Sequence, residues 1–587
     1  MQNAVAFANN DITTIAWSYG RRPDGCMGFA IYRIDRKGTE TPLPSHAVFP
    51  GHTIKPGQTT AQFPIQKFYW KDPYARLVAE RTGNRFFRYK IVPLEGAPDS
   101  LTPMAGLPLV ITNEVELTSE VAHGVHAVFN RGLISTQRVS RAFGGKPAKG
   151  PLLDQIADPA SALRASLSGD MVETLIGFVD RAGSTGRIYA ALYELHDAQL
   201  LARLEALGTR LHIVLSNADP IDPNTPDSNQ PAADRLSASA GTFVYRALAH
   251  NHIGHNKFLV HTSRDGTPRD VLLGSTNWTP TGLCAQTNNT MVVRDKALAT
   301  RYRAYWARLV TDTAAAAGDP NALQGADLRG SNATGQGFPV AGGKDLQSWF
   351  SPNTPHARGK VTGELRPPDM NDVVARIDAA TQAVLFLAFY PGSPSVANWA
   401  AQALRKDKEL FVRGCVTNRN TAAGFYYELR GMTPPQPGPG QPPPPLREDY
   451  RVLGAEAFDG KVIPEGWTQE ILNAGFAIIH DKVVVIDPFS PDCVVVTGSH
   501  NLGHKASYDN DENLVIVEGN RKLAVAYATH VLDVYDHFAF RYLVKRLGPQ
   551  GADQYLKEKP EEWLSRYFDA AGAITSAQLR FWMQATL

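Results

Sequence analysis

Cysteine is scarce in this chain: Cys26, Cys284, Cys415 and Cys493 are the only four in 587 residues. They lie far apart, with neither metal-ligand spacing nor the pattern of a disulfide framework. Cys415 and Cys493 sit in apolar, strand-like runs, as small core residues do. Long hydrophobic runs are missing; none reaches the roughly 18 residues of a membrane-spanning helix. Met1 to Asp11 has no basic segment followed by an apolar one. No cleavable signal is read there, so a cytoplasmic location is expected, with export by a route lacking such a signal left open. An excess of one charge is absent too. Lys and Arg number 59 against 57 Asp and Glu, a net +2. That provides no global field of the kind that announces a nucleic-acid groove. The 43% apolar and 20% charged content is ordinary for a soluble globular protein, and the length suggests roughly two to four domains.

Against this background one pattern carries chemistry. His480-Asp481-Lys482 opens the run Val483 to Ile486, which ends at Asp487; Gly498-Ser499-His500-Asn501 and then Glu512-Asn513 follow. The β-branched run reads as a buried strand, Val494 to Val496 as a second, and Pro488 to Asp492 as the turn between them. Side chains two apart on a strand share a face, so His480 and Lys482 converge on one point. The Gly-Ser-x-Asn segment brings a hydroxyl and an amide to the same place. A lone His-x-Lys pair is most often a satisfied histidine beside a solvated lysine. Here the pattern occurs twice. The earlier copy is His255-Asn256-Lys257, then Gly274-Ser275-Thr276-Asn277, then Asn288-Asn289. His255 to His480 is an offset of 225 residues; Asn277 to Asn501 and Asn288 to Glu512 are each 224. Unrelated surface histidines do not share a downstream pattern in one register.

H-x-K-x4-D followed by G-S-x-N, present twice, resembles the phospholipase D superfamily of phosphodiesterases over roughly residues 165 to 540. The resemblance implies an α/β fold of two pseudo-symmetric α/β/α halves with an active site at their junction that uses neither metal nor cofactor. It implies that one motif histidine attacks phosphorus and becomes a phosphohistidine while the other protonates the leaving oxygen. The catalytic set so implied is His255, Lys257, Asn277, His480, Lys482, Asn501 and Glu512, with Ser275, Ser499 and Asn288 expected to bind substrate. The first motif departs from the pattern, because Thr262 stands at its aspartate position. That aspartate is usually regarded as structural, and tyrosyl-DNA phosphodiesterases lack it too.

In chain order, residues 1–95 read as a small all-β sandwich, similar to a fibronectin type III module. Ile12 to Trp17 and Phe29 to Ile34 alternate, Phe63 to Trp70 and Phe87 to Leu94 follow, and Trp17, Tyr32 and Tyr89 are expected core aromatics. Its role is either docking or support. Residues 96–165 read as a connector; within it Val128 to Gln137 is a distinctive run with no derivable role. Residues 166–345 form the first half, where helical and strand-like runs alternate in β-α-β fashion. Residues 346–587 repeat that order and end in helices at Leu523 to Val544 and Glu561 to Phe568. Before the second motif, Pro434 to Pro445 holds eight prolines in twelve residues. It can build neither helix nor sheet and reads as a loop near the mouth of the site or a polyproline ligand. Phe425-Tyr426-Tyr427 could touch lipid or stack bases, but core aromatics are the preferred reading.

Two lysines and two asparagines facing each other can surround the nonbridging oxygens of a phosphate, stabilising developing charge where other enzymes use a metal. No Asp/Glu/His cluster with ligand spacing is found. A carboxylate bonded to imidazole favours the imidazolium and an amide does not. If each histidine pairs within its own half, His480 with Glu512 is the proton donor and His255 with Asn288 the nucleophile, which agrees with the family's usual assignment. The expected substrate is a phospholipid head group at a membrane surface, cleaved by a monomer. A metal-independent nuclease is the alternative, disfavoured by the near-neutral charge because nucleic-acid affinity comes largely from phosphate neutralisation. A non-catalytic binding protein is a third class; Thr262 is its only support, and the intact His-Lys-Asn set in both halves speaks against it.

Overall fold

The computed structural model describes residues 3–45, 47–53, 55–132, 149–222, 224–360, 366–417, 419–435, 445–455, 479–547 and 556–585. Two eight-stranded sheets carry the motifs. The first is built from β1 (Glu120–Ala122), β2 (Val125–Phe129), β3 (Gly186–Leu192), β4 (Leu211–Ser216), β5 (Thr242–Arg246), β6 (Lys257–Ser263), β7 (Pro268–Gly274) and β8 (Asn289–Val293). Its order is β1-β2-β8-β7-β6-β3-β4-β5. The second comprises β9 (Gln336–Phe338), β10 (Asp345–Ser351), β11 (Ala383–Ala388), β12 (Phe411–Val416), β13 (Val452–Gly454), β14 (Lys482–Ile486), β15 (Val494–Gly498) and β16 (Glu512–Glu518). Its order, β9-β10-β16-β15-β14-β11-β12-β13, repeats the first strand for strand. In each, three strands run parallel at one edge and the motif strand runs antiparallel to the first of them. The paired α/β halves expected from the repeated motif are therefore present.

Strand alternation sends each sheet's side chains to two cores. On β3, Ile188, Ala190 and Leu192 face outward onto helix Met171–Thr185, while Tyr189 and Ala191 face inward. On β14, Val484 and Ile486 face outward; Val483 and Val485 face inward. The inward residues of both sheets share one core with helices Lys296–Ala315 and Arg521–Leu547. The halves are thus stacked as helix, sheet, central helices, sheet, helix. The two central helices start at equivalent points. Asp295 accepts from Leu298 N at 2.7 Å and Asn520 from Leu523 N at 2.9 Å, each satisfying an otherwise unpaired first-turn amide.

The domain boundaries differ from the sequence reading in three places. Strands β1 and β2 fall in the supposed connector 96–165, yet β2 pairs along β8 from Val125–Val293 to Phe129–Asn289. This gives Val128 and Phe129 their role, as the strand that extends the first sheet. Strand β9 precedes residue 346 and belongs to the second sheet. The C-terminal helix Pro560–Leu564 packs into the N-terminal unit, and Ala577–Met583 bridges that unit and the second half, with Leu579 in the former's core and Phe581 stacked on Phe411 at 4.6 Å.

That N-terminal unit is all-β apart from helix Ala75–Thr82. Strands Asn3–Ala8, Thr13–Ser18 and Tyr69–Asp72 form one sheet. Gly28–Ile34, Glu40–Pro42, Phe86–Glu95 and Thr102–Pro103 form the other, with Val115–Glu116 still pairing to Phe86–Glu95 beyond residue 95. Trp17 and Tyr89 are core residues. Tyr32 is not; it is half-buried beneath Lys90, whose Nζ lies 4.7 Å from the ring. Of the proline-rich run, 436–444 lies outside the described residues. The chain resumes beside Asp449, whose carboxylate holds Arg451 at the start of β13, the end of that strand remote from the motif. Phe425 is buried in the outer core of the second half. No described helix is long and apolar enough to cross a membrane.

Candidate active site

Lys257 opens β6 opposite Leu192, and Lys482 opens β14 opposite Ala388. Each motif therefore sits at the end of its sheet where the parallel strands finish. The halves meet there through short parallel bridges, Ile253 with Asn510 and Thr287 with Ile479. Across this seam the His255 and His480 ring centroids are 6.3 Å apart with the planes at 70°. Both rings are buried.

The histidine partners are crossed. His255 Nδ1 lies 2.9 Å from Glu512 Oε2 and 3.0 Å from Oε1; His480 Nδ1 lies 2.9 Å from Asn288 Oδ1. This corrects the expectation of pairing within each half. Sequence spacing conveys register within a repeat, but the seam sets the last strand of each half beneath the opposite imidazole. Glu512 also accepts from Ser499 Oγ at 2.6 Å and Asn510 Nδ2 at 3.1 Å. Asn288 accepts from Ser275 Oγ at 2.8 Å and donates to the Gly282 carbonyl at 2.9 Å.

Ser275, Ser499 and Asn288, expected to bind substrate, are instead fully buried supports. Each serine donates to the acceptor that holds a histidine, and each also receives a backbone amide, Asn289 N or Asn513 N. Their hydrogen-bonding capacity is used within the protein.

A deeper layer of the site was missed by sequence reading. The middle residue of each His-x-Lys is bonded across the seam: Asn289 donates to Asp481 at 2.8 Å and Asn513 to Asn256 at 3.1 Å. The central helices complete the layer. Tyr527 Oη donates to Asn289 and His530 pairs with Asp481, as Tyr302 Oη donates to Asn513 and Tyr305 bonds Asn256. Tyr302 to Tyr527 and Tyr305 to His530 are each offsets of 225, the same as between the two motif histidines. That register was the available signal.

The strand beside each motif strand in its sheet, β3 or β11, leads into an aromatic plate. Tyr193 lies against His255 at 5.2 Å and Phe389 against His480 at 4.7 Å. Lys257 Nζ sits 5.0 Å from the Tyr193 ring and Lys482 Nζ 4.7 Å from Phe389. Each ammonium also donates to the carbonyl of its own motif histidine. The residue after Tyr193 is Glu194, and its Oε2 accepts from Asn277 Nδ2 at 2.5 Å. Asn501 has no such carboxylate bond among the described residues, and the Oδ1 atoms of both Asn277 and Asn501 are buried without a partner there.

Asp487 receives the amides of Thr381, Gln382 and Ala383 at 2.7–2.8 Å, fixing the turn into β11. Its counterpart Thr262 makes no such bonds; the backbone of Gly186, at the start of β3, passes so close to the Thr262 carbonyl that no Cβ fits there. The aspartate position is structural in one half and replaced by close backbone contact in the other.

Electrostatically the site is a buried cluster of opposed charges. Burial, then the Lys257 and Lys482 charges, hold His255 well below the usual imidazole range. Burial, then Lys482 and Lys257, do the same to His480. Burial pushes Lys257 down to about 7 against the pull of Glu512 and Glu194. Lys482 falls well below its ordinary value through burial and repulsion by Lys257. Burial raises Glu512 to about 7. An anion placed among these groups reverses most of these shifts, since it favours both ammonium groups and an imidazolium. Among the described residues no group of three or more His, Cys, Asp or Glu is placed to hold a metal ion.

Residues 176–310 and 374–533, just over half of the chain, match the family model of the phospholipase D-like domain of cardiolipin synthase. The chain belongs to the phospholipase D superfamily. Membership in the phospholipase D superfamily brings a phosphodiester-acting function. Solved structures similar to this phospholipase D-like chain include a phosphatidylserine synthase from Haemophilus influenzae, at 10% identity over 65% of this chain and 92% of that one, TM-score 0.40. Nuc, a phospholipase D family member from Salmonella typhimurium, is 20% identical over 23% of this chain and 84% of its own, TM-score 0.19. The yeast tyrosyl-DNA phosphodiesterase is 11% identical over 58% and 84%, TM-score 0.30. No curated protein matches the chain.

Proposed function

We propose that this chain cleaves a phosphodiester, a phospholipid head group, through a phosphohistidine on His255, with His480 as the proton donor. The observation that carries the reading is the crossed anchoring of two facing imidazoles, one by a carboxylate and one by an amide. Glu512 on Nδ1 fixes the tautomer with its proton on Nδ1, which leaves the Nε2 lone pair to attack phosphorus. Phosphorylation makes the ring cationic, and Glu512 offsets that charge. The Asn288 carbonyl orients His480 but adds no full negative charge, so the His480 imidazolium remains a stronger acid and gives up its proton to the leaving oxygen. The role of His255 is the one expected from sequence, for the opposite electrostatic reason.

The proton on His480 comes with the substrate. The empty site keeps the ring neutral, and a diester monoanion between Lys257 and Lys482 makes protonation favourable again. Asn277 and Asn501 complete the grip on the nonbridging oxygens as charge develops. Water then takes the phosphoryl group from His255, with His480, now neutral, removing its proton.

Near-neutral overall charge favours a lipid over a polynucleotide. Exposed Ile221 and Tyr390 follow β4 and β11 at the motif end of the sheets, where they can meet an apolar surface. The test is a panel of phosphatidylcholine and phosphatidylethanolamine vesicles, single-stranded DNA and bis(4-nitrophenyl) phosphate, each with EDTA. Release of free head group in EDTA is expected. Cleavage of DNA but not lipid would transfer the mechanism to a nuclease, and cleavage of none would overturn it.

A further inference from the structure

Glu194 has no part in the proton transfers above, yet its carboxylate stands inside the anion site. It accepts from Asn277, one of the two amides that grip phosphate, and its charge is felt by both Lys257 and Lys482. It is partly buried at the end of β3, and its own backbone carbonyl receives Trp278 N, so its place is fixed from both sides. Sheet equivalence makes this feature one-sided. Leu192 and Ala388 both end strands opposite a motif lysine, so Tyr193 corresponds to Phe389 and Glu194 to Tyr390, which is exposed. One half carries a negative charge where the other carries a phenol.

A carboxylate facing the two lysines that receive the phosphate opposes anion binding, and its cost grows with the ligand's charge. When a bound anion favours both ammonium groups, Glu194 and Glu512 as carboxylates already supply two opposing charges. A diester adds one negative charge to that set; a monoester dianion, such as the phosphatidate left by head-group removal, adds two. Resting on the phosphodiesterase reading, we propose that Glu194 is a specificity-determining residue that makes the site accept the singly charged diester and reject the doubly charged monoester, so that product leaves. The competing account is that Glu194 only holds Asn277. The two differ because glutamine still offers Asn277 an oxygen to donate to but carries no charge.

The experiment is calorimetric binding to the full chain at about pH 8 of two non-reacting probes: sulfate, a dianion at that pH, and dimethyl phosphate, a monoanion. E194Q is expected to bind sulfate on the order of tenfold more tightly than the natural protein, with a much smaller change for dimethyl phosphate. E194A loses the acceptor along with the charge, and its sulfate-to-dimethyl-phosphate affinity ratio is expected to rise as well. Either variant decides the matter if the other fails to fold. An unchanged ratio leaves Glu194 as a support for Asn277 and overturns the proposal. Turnover of bis(4-nitrophenyl) phosphate is read separately. An unchanged ratio with cleavage intact removes only the role of Glu194, whereas absence of cleavage overturns the phosphodiesterase reading. A protein that binds neither probe, natural or variant, overturns the role of Glu194, while the phosphodiesterase reading stands or falls with cleavage.

Discussion

The His255 imidazole is anchored by the Glu512 carboxylate, 2.9 Å away across the seam between the halves. This relationship divides the labour of the site, since it gives the compensating charge to one histidine and withholds it from the other.

Replacing His255 with Asn is expected to abolish cleavage of every diester together with any acid-labile phosphoenzyme. His480→Asn is expected to slow release of a poor leaving group such as choline by about 10²- to 10⁴-fold. A nitrophenol, which leaves without a proton, should be slowed far less. Mass spectrometry of enzyme quenched at alkaline pH checks the assignment. A phosphoryl group on His480 and none on His255 reverses it.

Glu512→Gln is expected to behave as a milder His255 change. Phosphoenzyme formation should slow by on the order of 10²-fold or more for choline and nitrophenol esters alike, because the defect lies in the attacking ring. A loss confined to the choline ester would place Glu512 in the service of His480 instead.

The same residue predicts a pH-dependent stability. Burial raises the Glu512 carboxyl to about 7, while in the unfolded chain it titrates near its ordinary value of about 4.3. Below both values the proton is bound in either state and nothing is lost. As pH rises through this window the unfolded chain releases its proton first, so this group's ionisation favours unfolding, up to a few kcal/mol above about pH 7. The melting temperature of Glu512→Gln relative to the natural protein is therefore expected to be higher at pH 8 than at pH 5. Thermal denaturation at the two pH values tests it, and an unchanged difference counts against the burial cost assigned to the carboxylate.

Beside the site, Arg246 is buried between Asp511, at 2.6 Å, and Asp312, at 2.8 Å. It joins β5 of the first half to the residue just before Glu512. Arg246→Met leaves two buried carboxylates without their cation. A loss of about 3–5 kcal/mol is expected in denaturant unfolding, with activity falling as Glu512 loses its backbone support. A loss below about 1 kcal/mol would show that the pair is adequately solvated.

The two halves and the motif residues were legible because a strand writes its pattern locally, and a repeat at 225 residues needs no structure to be seen. The crossed partners were not legible. Nothing in the order His255, Asn288, His480, Glu512 says which acceptor lies beneath which ring; that is a property of how two sheets are docked. Strands β1 and β2 escaped because they are short, and β1 lies at an edge with little apolar alternation. Glu194 escaped for another reason: one carboxylate after a strand has no pattern at all, and only its bond to Asn277 gives it meaning. The helix at Leu523 to Val544 was legible, but nothing local marked Tyr302, Tyr305, Tyr527 and His530, whose hydroxyls and imidazole lie beneath the motifs.

Trp563 is fully buried, and its indole nitrogen donates to the Cys26 carbonyl at 2.9 Å. With Leu564, Tyr567, Phe568 and Leu579 it fills the space between Phe29, Phe68 and Ile65. Strands around Phe29 and helices around Trp563, more than 500 residues apart in sequence, therefore close one core between them. Without Trp563, Phe29 keeps the Trp17 indole at 5.2 Å but Phe68 loses the indole at 5.5 Å, and the β-unit is a half-closed clam. The β-unit is thus clasped by a segment that follows the second half in sequence, which ties the two together at a distance from the site.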